Sequence, residues 1–179
     1  HLILYPVRGS ALMNAKMLSA DRSFLYAHQG RASANLYADA AAEAYRGIKK
    51  ATAVYNATGD GKWAQFMHDE PRYQSVFNMP PVSRVTPLGE PGLGVVVEGA
   101  IDAWTQRPAK IFEAADTALR VERWRTKGAT KDRLPLFERA TDRRYFIDAF
   151  NVGKGALDIA AKGSAPWIRI ERGATPGGG

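Results

Sequence analysis

A chain of 179 residues with 45% apolar content is long enough for one ordinary domain or two small ones with a packed core. The absence of cysteine excludes disulfides, thiolate metal sites and cysteine nucleophiles together, so the fold rests on packing. The net charge of +7 is spread, with 9 basic against 6 acidic residues over 1–79 and 16 against 12 over 80–179; this excludes a basic tail and leaves nucleic acid, anionic lipid and acidic polysaccharide unranked as partners.

In chain order, the apolar run Leu2-Ile3-Leu4-Tyr5-Pro6-Val7 is too short for a membrane span and lacks the basic start and cleavage site of a signal peptide. No membrane partner is expected, and the native start is expected upstream of His1. From Asn14 to about Gly30, the residues Met13, Met17, Leu18, Phe24 and Leu25 recur at helical spacing, and Gly30 suits a helix stop. Ser33 is a candidate cap for a second, Ala-rich helix with the stripe Leu36, Ala40, Ala44 and Ile48. That helix ends near Lys50, or continues through Tyr55 to the loop Asn56–Gly61 and is followed by a short third helix carrying Trp63, Phe66 and Met67. In either version the first part is an antiparallel helical piece, too small to bury its own apolar stripes, and so part of a larger bundle.

Five prolines between Pro71 and Pro91 cannot lie in helix interiors, so residues 79–92 read as a connector between a helical segment, 1–78, and a second segment, 93–179. Strand-like runs follow at 93–98, 109–114, 118–125, 144–150, 156–160 and 166–171, a spacing that favours an antiparallel β-sandwich. In the clearest of them, alternation puts Tyr145, Ile147 and Ala149 on one face and Phe146, Asp148 and Phe150 on the other, with turn chemistry at Asn151 and Gly153. The expected class is α+β in two segments: antiparallel helices of a partial bundle, then a sandwich.

Few residues suggest chemistry. Glycosidic cleavage commonly uses two carboxyl groups about 5 to 9.5 Å apart, but Asp69 and Glu70 are neighbours on a loop where solvated carboxylates are the ordinary finding. Glu98 and Asp102 read as turn and surface residues. The spacings of His1, His28 and His68 match no metal-ligand motif, so neither metal nor cofactor is expected. Gly59-Asp60-Gly61-Lys62 lacks the spacing of a phosphate loop. Trp124, with Arg123 and Arg125 beside it and Arg120, Lys127, Lys131 and Arg133 around it, offers charge and a ring to a sugar polymer or to nucleic acid; Glu122 and Asp132 interrupt the run. Trp63 and Trp167 have apolar neighbours and read as core.

Eight segments, taken in order, resemble the C-terminal half of glycoside hydrolase family 115, the xylan α-1,2-glucuronidases. They are Leu4-Tyr5-Pro6-Val7, His28 to Asn35, Gly61-Lys62-Trp63, Asn78-Met79-Pro80, Leu93 to Gly99, Leu134-Pro135-Leu136-Phe137, Tyr145 to Asn151, and Ala165-Pro166-Trp167-Ile168. The resemblance implies an inverting parent enzyme that removes glucuronic acid or its 4-O-methyl form from glucuronoxylan. It places the catalytic residues in an upstream (β/α) barrel, followed by a helical bundle and a C-terminal β-sandwich. It further implies a homodimer, a secreted or periplasmic location, and a chain that is catalytically silent alone, serving as scaffold and dimerisation region.

The stretch Phe66 to Phe77 departs from the family pattern of a His- and Gly-Tyr-containing loop. Tyr73 matches the family tyrosine there, so Tyr73 and Arg72 are the candidate substrate contacts, with Trp124 and Arg123 as a second pair; no ligand role carries over through His68. The alternative is a stand-alone carbohydrate-binding module for acidic xylan. Binding to nucleic acid is not expected.

Overall fold

The computed structural model describes residues 3–98, 100–105, 110–112, 133–134, 136–138 and 144–173. They form a mixed α+β arrangement. Helices α1 (Leu4–His28) and α2 (Ala34–Asn56) make an antiparallel hairpin, and strands β1 (Arg84–Thr86), β2 (Leu93–Val97), β3 (Trp104–Thr105), β4 (Lys110–Phe112) and β5 (Ile147–Asn151) follow. Strand β1 pairs antiparallel with β4, and a three-stranded antiparallel sheet runs β3-β2-β5.

Helix α1 begins ten residues before the expected Asn14 because Pro6 falls in its first turn, where a missing N–H costs no intrahelical bond. It stops where Gly30 adopts φ 75°, a left-handed conformation that ends helices at little steric cost. Ser33 stands at the cap position of α2, but its backbone is helical and its hydroxyl makes no cap bond. Helix α2 takes the longer of the two expected courses, to Asn56.

The face that α2 buries differs from the expected stripe. Ala34, Ala38, Ala41, Ala44, Ala51, Thr52 and Tyr55 are inside, whereas Leu36 is 62% exposed and Ala40 lies outside with it. Alanines permit close approach of the two helices, and Gly47 extends the narrow face, since a Cβ there would meet Leu12 at 3.0 Å. On α1 the buried set is Lys16, Ala20, Ser23, Phe24 and Ala27, and Leu18 points outward.

The expected third α-helix around Trp63, Phe66 and Met67 does not form. Residues 57–67 are successive turns, closed by i to i+3 bonds such as Phe66 N to Trp63 O at 3.0 Å, because Gly59, Asp60, Gly61 and Gln65 all have positive φ. Trp63 is half-buried there, edge-on to the exposed Phe66 with ring centroids 5.3 Å apart. Trp167 is no core residue either: it is 69% exposed and touches Phe137 edge-on. The runs 156–160 and 166–171 carry no strand ladder, and 118–125 lies outside the described residues.

Residues 79–92 pack against both elements around them. The Asn35 side-chain amide donates to Val85 O (2.9 Å) and its oxygen accepts from Val85 N (3.0 Å), which satisfies both polar groups of a buried residue. Val85 thereby joins Ala27, Ala34 and Tyr26 in one apolar cluster. Downstream, Leu88 N donates to Val152 O at 3.1 Å and Lys154 N to Leu88 O at 3.0 Å, tying the proline-rich stretch to the end of β5.

The hairpin turn meets the sheet through Arg31. Its guanidinium is buried between the rings of Tyr26 (4.6 Å) and Phe150 (4.0 Å) and bonds to the Asp148 carboxylate. Asp148 and Phe150 share a face of β5, as the alternation predicts, while Ile147 and Ala149 are exposed. The Phe150 ring lies over Gly94, its register partner on β2, where a Cβ would come within 2.4 Å of the ring. Gly94→Ala is therefore expected to displace the ring from Arg31 and cost about 2 kcal/mol by overpacking. A urea midpoint equal to that of the parent chain would show that the ring has another place to rest.

Candidate functional site

Residues 57–78 form a long excursion from the end of α2, and polar side chains from both helices fasten it. Asn56 brackets Met67, donating to its carbonyl at 2.9 Å and accepting from its N–H at 3.0 Å. Lys16 reaches from α1 to donate to three carbonyls, Val76 O (2.9 Å), Phe77 O (3.2 Å) and Asn78 O (2.9 Å), and so caps a 3₁₀ turn at Ser75–Phe77. Burial pushes the Lys16 pKa down, and the charge of Glu70 partly opposes that shift.

Between these anchors, Lys49 approaches Asp69 Oδ2 at 3.3 Å and Glu70 Oε1 at 3.5 Å, and Tyr45 OH donates to Glu70 Oε1 at 3.2 Å. Hydrogen bonding to Tyr45, and then to Asp69, holds the Lys49 ammonium above its ordinary pKa. The two carboxylates thus share one cation, an arrangement that stabilises the loop and leaves no pair set apart across a scissile bond. His68 is exposed; its Nδ1 accepts from Glu70 N at 3.0 Å. An open cleft of about 560 Å³ lies between α2 and this stretch, lined by Lys49, Thr52, Asn56, Gln65, His68 and Asp69 among others. Among the described residues, no three His, Asp or Glu side chains converge as a metal site.

Past the cleft, the chain presents Arg72 and Tyr73 at its surface, both left-handed, with φ 55° and 52°. Tyr73 is 85% exposed, its ring edge-on to that of His68 at 6.0 Å and its N–H donating to Glu70 O at 3.1 Å. Of the two candidate contacts, Tyr73 is thus brought beside His68 and Glu70, with Arg72 next to it in the chain. Arg123 and Trp124 lie outside the described residues. Glu98 and Asp102 have structural partners: Glu98 Oε2 accepts from Phe146 N at 3.1 Å, and Asp102 bonds the His28 ring at 2.6 Å.

Lys49 and Tyr45 were not among the residues the sequence singles out. The available signal was their spacing of four, which puts both on one side of α2 facing the acidic pair. No protein-family model matches the chain, and no curated protein matches it significantly.

Proposed function

We propose that this chain is a non-catalytic, C-terminal part of a xylan α-1,2-glucuronidase, holding an upstream catalytic barrel in place and supplying a dimer surface. In this reading α1 and α2 are the end of a helical bundle, and the sheet β3-β2-β5 is one layer of a β-sandwich. The parent acts on glucuronoxylan outside the cytoplasm, in the secreted or periplasmic space its polymeric substrate requires.

The observation that carries the reading is apolar surface on the outside of the hairpin. Leu4, Val7 and Leu18 of α1 and Leu36 and Val54 of α2 all point away from the shared alanine face and are at least half exposed. Large aliphatic residues on both sides of a helix suit one packed between neighbours, as in a bundle interior. The ordered resemblance of the eight segments supplies the identity of the larger protein, and the shared cation on Asp69 and Glu70 fits a region without catalysis.

Two measurements test this. The coding sequence upstream of His1 is expected to encode a (β/α) barrel in frame. The chain alone is expected to release no uronic acid from glucuronoxylan, and release by the pure chain would overturn the non-catalytic assignment.

A further inference from the structure

We draw no further inference here: the strongest candidate, the apolar face of the sheet β3-β2-β5 on which Trp104, Ala149 and Ile147 lie exposed, carries none, because nothing in the structure shows what covers it.

Discussion

Replacing Arg31 by leucine is expected to lower the free energy of unfolding by about 3 to 5 kcal/mol, a large share of the stability of a domain this size. The residue is only 5% exposed, yet it carries a permanent charge. That charge is tolerated because Asp148 neutralises it and because the faces of Tyr26 and Phe150, at 4.6 and 4.0 Å, supply negative quadrupole on two sides. Leucine fills much of the volume but strips the guanidinium from an Asp148 carboxylate that is only 25% exposed. An ionised group deprived of its close partner in such a place costs more than the lost pair was worth.

Arg31 also lies 117 residues from Asp148, so it fastens the helical hairpin to the sheet. Urea titrations followed by far-ultraviolet circular dichroism and by tryptophan fluorescence check both consequences. Parent transitions are expected to coincide and those of Arg31→Leu to separate, helices and sheet unfolding at different midpoints. A companion Asp148→Leu in the Arg31→Leu background should recover part of the loss, because the carboxylate that the guanidinium had neutralised is then gone as well. A cost below about 1 kcal/mol with coincident transitions would show that other contacts join the two parts.

What could be read from the sequence follows from how far each determinant reaches along the chain. Gly30 announces the end of α1 by its own backbone freedom, and the alternation of Asp148 and Phe150 against Ile147 and Ala149 needs nothing beyond β5 itself. The inner face of α2 departs from the periodicity because that pattern favours the largest apolar residue, Leu36, whereas Ala34, Ala38 and Ala41 take the inner face with Ala44 by letting the helices approach closely. Leu36 is left outside, where it speaks of a further neighbour and not of the hairpin core. Trp63, Phe66 and Met67 have helical spacing, but left-handed Asp60 and Gln65 interrupt any helix there, and neither type advertises that conformation as glycine does. At the candidate site, Arg72 and Tyr73 were visible only through family resemblance. Their placement depends on anchors from Lys16 and Tyr45, some 60 and 30 residues earlier, which no local pattern joins.

Lys16→Met is expected to be the second costly change, at about 3 kcal/mol, and its pH dependence separates it from an ordinary packing defect. Methionine keeps the length and apolar stem of the side chain but removes every donor to Val76 O, Phe77 O and Asn78 O. The 3₁₀ turn at Ser75–Phe77 then loses its cap, and the excursion carrying Arg72 and Tyr73 loses its downstream anchor. Burial lowers the Lys16 pKa in the folded chain below its ordinary 10.5, so between that lowered value and 10.5 the unfolded chain binds more protons. The contribution of Lys16 to stability must therefore rise with pH through this window and stay constant below it. Tyr26 works in the opposite sense above pH 10, since burial raises its pKa; because it is present in both proteins, its effect cancels in the difference between parent and variant. The penalty of Lys16→Met, measured by chemical denaturation at a series of pH values, should accordingly be flat near neutrality and grow on the alkaline side. A penalty that shrinks there would mean that the ammonium is worth more to the three carbonyls than its burial costs, and that the anchor depends on its charge.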